Sequence, residues 1–295
     1  MSALAWQDRF WRGVAYWVDR PVLAVIGSQA LFRALFALSS RMGSRMPRDV
    51  AMSWDKDGAL WLHPQGLAGD APILMYIHGG GFTIGSPRTH AALAAYLARA
   101  AGMVAVLPRY RLAPAHPCPA AREDIIAAHG RLVEMGRAPV ALAGDSAGGN
   151  LALLLAQHLR DTGGAVPRVM GLIAPVADLS GDIAARFAAA PGELLIPPQW
   201  ARRIAGAYLA GRDAHDPMIS PLLGDLTGLP PVMIQAGAEE VLAHDAAALA
   251  ADMADAHLDL WPGLPHVWQI HAGRAPAAAR ALAALGAFLQ QKAAR

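Results

Sequence analysis

Short, unbroken apolar runs recur along the chain with a helix-length interval between them. They are Ile73 to Ile77, Met103 to Leu107, Val140 to Ala143 and Val169 to Ala174. A strand buried on both faces of a parallel sheet reads this way, as a continuous apolar run rather than an alternation. The intervals His90 to Ala101, Ala120 to Met135 and the stretch after Ser146 carry helical patterns; the second places Glu123 and Asp124 early, where the helix dipole favours acids. Further on, Pro230 to Gln235 and His257 to Trp261 predict two more strands, and Ala277 to Ala294 a closing helix. Alternation at Ala51 to Trp54 and Leu60 to Leu62, around the turn Asp55-Lys56-Asp57-Gly58, predicts a hairpin at the start. Strand and helix alternate, which predicts an α/β fold with a mostly parallel, doubly wound sheet of eight strands.

This rhythm fails in two places. Residues 1–46 are rich in Trp, Phe, Leu and Ala, with Trp6, Phe10, Trp11, Val14 and Trp17 at helical spacing. A second helix with Leu31, Leu35, Phe36 and Leu38 ends near Gly43, and Pro21 starts or kinks the segment between. Residues 178–212 hold Phe187, a Pro191-Gly192 turn, Pro197-Pro198 and a helix near Gln199 to Ala210. An excursion from the C-terminal edge of such a sheet lies over its ligand crevice. The expected organisation is therefore a core in two parts, 47–177 and 213–295, with a helical cap from 1–46 and 178–212.

Composition narrows this picture without redirecting it. The chain has 295 residues, 55% hydrophobic and 16% charged, with net charge +2. No run of Lys or Arg points to nucleic acid or an anionic membrane. The single Cys118 excludes an intrachain disulfide and a cysteine-built metal cluster. The N-terminus lacks the signal-peptide pattern, and the run Val22 to Phe32 is shorter than the ~20 residues of a membrane helix. A cytoplasmic protein without stable membrane insertion is the expectation.

The candidate chemistry begins at Gly144-Asp145-Ser146-Ala147-Gly148. This G-x-S-x-G turn stands between a predicted strand and a predicted helix, its proper context. A turn that tight exposes the Ser146 hydroxyl at a helix N-terminus, where amides and dipole favour developing negative charge. Spacing alone leaves an ordinary glycine-rich turn equally good. A second signal, His78-Gly79-Gly80-Gly81-Phe82, follows the Ile73–Ile77 run. Consecutive glycines let a backbone present its N–H groups closely to a ligand. In acyl transfer such a loop assists the oxyanion together with the amide after the nucleophile, here Ala147. A nucleotide phosphate loop is excluded by spacing, since Ile84 stands where a third glycine is required. His78, at the strand end, reads as a structural hydrogen-bonding group.

A serine hydroxyl needs a base, and the base an orienting acid. On this kind of sheet they follow later strands, acid before histidine. His266 lies in the loop after the last strand, with His271 as the alternative; His257 opens that strand and His244 falls in a helix. The loop after the preceding strand offers Glu239, Glu240 and Asp245. Asp145, adjacent to Ser146, points elsewhere in an elbow and reads as scaffold.

With HGGGF at 78–82, YRLAP at 110–114, GDSAGGN at 144–150, DPMISP at 216–221, GAEEVL at 237–242 and PHVWQ at 265–269, the chain from about residue 70 onward resembles the hormone-sensitive-lipase-like (family IV) esterases of the α/β-hydrolase superfamily. The resemblance implies Glu240 as the acid, since the family's acid precedes any residue and then leucine. It implies oxyanion donors at Gly80, Gly81 and Ala147, a cap from the two irregular segments, and frequent dimers. This chain carries Arg109 and Ala115 where the family usually has acids, so Arg111 loses two acidic neighbours.

The expected function is a serine carboxylesterase for short- to medium-chain esters, with catalytic Ser146, Glu240 and His266 and no metal or cofactor. Phe82, Phe187, Trp200 and Tyr208 are the candidate substrate contacts. An amide or formamide hydrolase, or a deacetylase, uses the same machinery; a non-catalytic ligand receptor is the remaining reading on this fold.

Overall fold

In the computed structural model, which describes residues 4–294, eight strands form one sheet in the order β1-β2-β4-β3-β5-β6-β7-β8. They are β1 Val50–Trp54, β2 Leu60–Pro64, β3 Ile73–Ile77, β4 Val104–Leu107, β5 Ala141–Asp145, β6 Val169–Ile173, β7 Val232–Gly237 and β8 Ala256–Trp261. The hairpin β1–β2 is antiparallel, and β2 also runs antiparallel to β4. All other pairs are parallel. The crossovers are α4 Ala91–Ala101, α5 Ala120–Glu134, α6 Ala147–Asp161 and α9 Ala243–Asp252, and α10 Pro276–Ala293 closes the chain.

Strand alternation divides the core between the two faces. Ile73, Met75 and Ile77 of β3 pack with Ile125 of α5 and Leu151 and Leu155 of α6. Leu74 and Tyr76 face the other way, onto Leu93 and Leu97 of α4 and Leu285 of α10. Every residue of β3 through β7 is buried, which is why those runs lack an alternating polar set.

The first irregular segment forms α1 Trp6–Val14, a π-helical turn Ala15–Asp19, α2 Arg20–Val25 and α3 Gln29–Gly43. Pro21 does not break the path from α1 into α2. The Arg20 amide bonds the Ala15 carbonyl, an i→i+5 bond. That wider turn accommodates a proline that has no N–H to give. The second segment forms α8 Pro198–Leu209 as expected, preceded by a short helix, α7 Ile183–Ala189. Seven alanine-rich residues show no readable periodicity; what marks α7 is the Asp182 side chain capping the Ala184 amide at 2.9 Å.

The two segments meet. Leu23 and Phe32 pack with Ile196 and Trp200, and all four share one apolar cluster with Ile84, Val241 and Leu242 of the core loops. The aromatics of α1 are not among its members. Trp6, Phe10 and Trp17 are 67%, 55% and 75% exposed, while Trp11 turns inward and stacks on His271 at 4.3 Å. Among the described residues, no helix is long and apolar enough to cross a membrane.

An ionic clamp fixes α7 to the core. Arg186 contacts Asp178 at 2.7 Å and Asp245 at 2.6 Å. The other oxygen of Asp245 accepts the amides of Ala177 and Asp178 at 2.9 and 3.1 Å. Asp245 is fully buried, and burial pushes its carboxyl up despite Arg186. Removing it leaves two amides without their acceptor and Arg186 with Asp178 alone. Asp245→Ala is expected to lose about 3 kcal/mol of stability, read from the urea unfolding midpoint.

Candidate active site

At the end of β5 the backbone turns sharply. Ser146 has φ 53° and ψ −120°, and α6 begins at the next residue. A non-glycine residue stays in this region only when its surroundings over-determine it. Here the Ser146 amide donates to Ile173 O at 2.8 Å, and its carbonyl accepts from Gly149, Asn150 and Val176 at 3.0, 3.2 and 3.1 Å. The Asn150 side chain donates to Val176 O and Ile219 O, both at 3.0 Å, so the loop after β6 is tied to α6. Gly148 is required for space: a Cβ there would enter the Ile77 carbonyl, so β3 and α6 touch backbone to backbone.

That contact brings the glycine loop beside the elbow. Strands β3 and β5 pair with Ile77 opposite Gly144, and residues 78–81 emerge next to Ser146. Asp145 holds the junction. One oxygen accepts Tyr76 OH at 2.7 Å and Gly79 N at 3.0 Å, and the other lies 3.3 Å from His90 Nε2. Burial raises this carboxyl, but His90 and the Tyr76 hydroxyl outweigh it and hold it below its ordinary range. His78 stacks on Tyr110 at 4.3 Å, and Tyr110 OH donates to His78 O at 2.8 Å. Burial, then the neighbouring His90, lowers His78 to about 3, so its ring is neutral. Gly80 and Gly81 have φ 114° and 57°. Helix α8 lies over this loop: a side chain at Gly81 would strike Ile204 and come within 3.3 Å of Trp200.

The three acid candidates separate clearly. Glu240 Oε2 lies 2.6 Å from His266 Nδ1, and its Oε1 accepts Gly237 N at 2.7 Å. Glu239 is exposed and accepts Gly263 N at 2.8 Å. Asp245 is engaged by Arg186. Burial pushes Glu240 up, offset only in part by His266. For His266, burial acts downward, but Glu240, then Glu193 and Asp145, outweigh it, and the ring is raised above 6.5. His271 lies apart, stacked on Trp11 with Nδ1 3.2 Å from Gly43 O, and burial lowers it to about 4.

Glu193 is the site-adjacent residue that sequence reading passes over. It is 4% exposed. Its Oε1 accepts Leu195 N and Ile196 N at 2.6 and 2.8 Å, and its Oε2 accepts Val241 N at 2.8 Å, next to Glu240. The Arg20 guanidinium donates to its backbone carbonyl. An acid after a Pro-Gly turn reads as solvated surface; only the apolar Leu194-Leu195-Ile196 after it hints at burial. The four aromatic candidates fall into two groups. Phe82 and Tyr208 stack face to face at 3.7 Å within the core cluster, while Trp200 and Phe187 belong to the cluster shared by the two irregular segments. Arg111 recovers its acids from α5, with Asp124 at 2.9 Å and Glu123 at 3.0 Å.

Residues 74–270 match the family model described as alpha/beta hydrolase fold. An acetyl-hydrolase of Streptomyces hygroscopicus is 42% identical over 238 residues, 79% of each chain. An esterase of Acinetobacter venetianus is 34% identical over 73% of this chain and 74% of its own. Among solved structures, an esterase of the bacterial hormone-sensitive lipase family superposes with TM-score 0.90 at 32% identity, covering 99% of this chain and all of that one. The esterase EstE5, soaked with p-nitrophenyl butyrate, gives 0.88 at 30% identity over 99% of this chain and all of its own. The chain therefore belongs to the α/β-hydrolase fold family, in its hormone-sensitive-lipase-like branch, and is an ester hydrolase of the carboxylesterase type.

Proposed function

We propose that the protein hydrolyses short- to medium-chain carboxylic esters through an acyl-enzyme on Ser146. The observation that carries the reading is the buried 2.6 Å contact between Glu240 and His266, at the edge of the sheet where the strained Ser146 turn stands. A carboxylate on Nδ1 holds the proton there and leaves Nε2 as the acceptor. His266 takes the Ser146 proton as the oxygen attacks the ester carbonyl. The amides of Gly80, Gly81 and Ala147 stabilise the oxyanion. As the tetrahedral species collapses, His266 returns the proton to the departing alkoxide. A water deprotonated by His266 then attacks the acyl-serine; the acid leaves and Ser146 recovers its proton. Neither step calls for a cofactor.

Shorter acyl chains are favoured by the position of α8, whose Ile204 and Trp200 lie directly above the glycine loop. The acetyl-hydrolase relative agrees with that preference. Phe187 and Trp200 are the wall against which the acyl or alcohol group packs, and Phe82 and Tyr208 support the loop beneath. Residues 1–46 and 178–212 act together as the cap.

Ser146→Ala is expected to lower kcat by a factor of about 10³ or more and to abolish labelling by a fluorophosphonate. Normal turnover of p-nitrophenyl butyrate by that variant would move the nucleophile elsewhere. The pH dependence tests the acid. His266 is raised above 6.5, so the acid limb of kcat/KM should have its midpoint above that value, activity falling as the base is protonated. Glu240→Gln removes the anion that favours the imidazolium; the limb should move to lower pH while kcat drops. Glu239→Gln should leave both unchanged, and the reverse ranking would reassign the acid.

A further inference from the structure

The whole-chain charge of +2 conceals an uneven division. Residues 1–48 hold seven arginines and two aspartates, whereas the remainder has 18 basic and 21 acidic residues. Folding sharpens the imbalance. Asp8 is buried, its Oδ1 accepting Ala277 N at 3.0 Å at the start of α10, and Asp19 is half-buried with its carboxyl pushed up by burial. Arg20 and Arg33 are turned inward onto the carbonyls of Glu193, Thr83 and Ala113. Among residues 4–48, every exposed charged side chain is an arginine: Arg9, Arg12, Arg41, Arg45 and Arg48.

The same helices carry an apolar surface that the fold leaves uncovered. Trp6, Phe10 and Trp17 follow one line of α1 and its π-helical extension, all more than half exposed. Val25, Leu38 and Met42 add 77%, 56% and 64% exposure along α2 and α3. The opposite face of α1 is fixed to the body of the protein by buried Asp8 and by Trp11 on His271. The exposed face is thus held in place rather than frayed. Indole and phenyl rings beside guanidinium groups, on a helix whose other face is anchored, is the composition of a helix lying in a lipid–water interface.

We propose that α1 to α3 form a reversible docking surface for an anionic phospholipid bilayer. The arginines meet the headgroup phosphates, and Trp6, Phe10 and Trp17 enter the headgroup layer. A second copy of the chain is disfavoured as the occupant. A symmetric contact lays the patch on itself and opposes the same arginines with no exposed acid in the patch to answer them. Because Leu23 and Phe32 of these helices pack with Trp200 above the glycine loop, docking would hold the cap at the bilayer surface.

The test is sedimentation of the full chain with vesicles of phosphatidylglycerol and phosphatidylcholine in equal parts, against phosphatidylcholine alone. Binding to the anionic vesicles should be roughly tenfold or more the stronger, and should fall when salt is raised to about 0.5 M. The combined variant Trp6→Ser, Phe10→Ser, Trp17→Ser should lose roughly tenfold or more in vesicle binding while hydrolysing dissolved p-nitrophenyl acetate normally. Arg9→Gln with Arg12→Gln and Arg41→Gln should remove the preference for anionic vesicles, and gives an independent reading that leaves the aromatic face intact. Equal binding to both vesicle types by the unaltered chain would overturn the proposal. So would a dimer in solution that the aromatic variant converts to monomer, since a second copy would then be the cover.

Discussion

A single buried carboxylate sets the geometry on which the rest depends. Asp145 closes β5, and its two oxygens gather Tyr76, Gly79 and His90 from β3, from the loop after it and from the start of α4. It therefore fixes the glycine loop against the elbow from one side, while the bare Gly148 lets the Ile77 carbonyl close in from the other. A charge at 2% exposure is tolerated because donors surround it, and removing them singly would leave a costly orphan. The strained Ser146 backbone is held by the same construction. Its own carbonyl takes three amides, so the position of the hydroxyl is decided by backbone bonds rather than by the side chain's preference.

Glu240 and His266, the proposed acid and base, stand on a separate pair of loops, and they too are held by several bonds. Glu240 spends one oxygen on the Gly237 amide at the end of its own strand, which leaves the other free to face His266. Val241, the next residue, is held through its amide by Glu193 from the second irregular segment. Arg20 of the first irregular segment reaches the Glu193 carbonyl, and Arg186 of the second is clamped between Asp178 and Asp245. Arg33 reaches the carbonyls of Thr83 and Ala113, and Asp8 accepts the Ala277 amide. The helices are thus tied to the core at several points, two of which, at Val241 and Asp245, lie on the loop and helix after β7.

Much of this was legible in the sequence because it follows local rules. The strands β3 to β7 are apolar runs with no alternation, and a parallel sheet covered on both faces produces that pattern. Ser146 and the glycine loop announce themselves through steric demands that only certain residues meet. Glu240 was harder: position after β7 offered Glu239 beside it, with Asp245 reading rather as a stabiliser of the helix or loop, and only the family motif singled Glu240 out. The structure separates them by partners that lie far along the chain, Gly263 for Glu239 and Arg186 for Asp245. Glu193 escaped altogether, since apart from the apolar run after it nothing local distinguishes a buried carboxylate that accepts three amides from a solvated one. Arg111 shows the opposite case, where a local motif lost two acids and the fold supplied Asp124 and Glu123 from the first turns of α5.

The N-terminal helices show why composition and spacing mislead when faces are not known. Trp6, Phe10, Trp11 and Trp17 recur at helical spacing, and a helix so rich in aromatic surface is expected to bury it. The chain instead buries Asp8 and turns Trp11 inward, and it leaves the other rings in water. The reason is the start of α10. Its N-terminus lacks a side-chain cap of its own, and Asp8 supplies an acceptor for the Ala277 amide across nearly the whole length of the chain. Once Asp8 is committed there, the residues three and seven further on, Trp11 and Ala15, share its inward face. Trp6, Phe10 and Trp17 are left outward by helical geometry. A polar requirement at one helix end thus decides which aromatic side chains meet solvent, and with it the surface the protein offers.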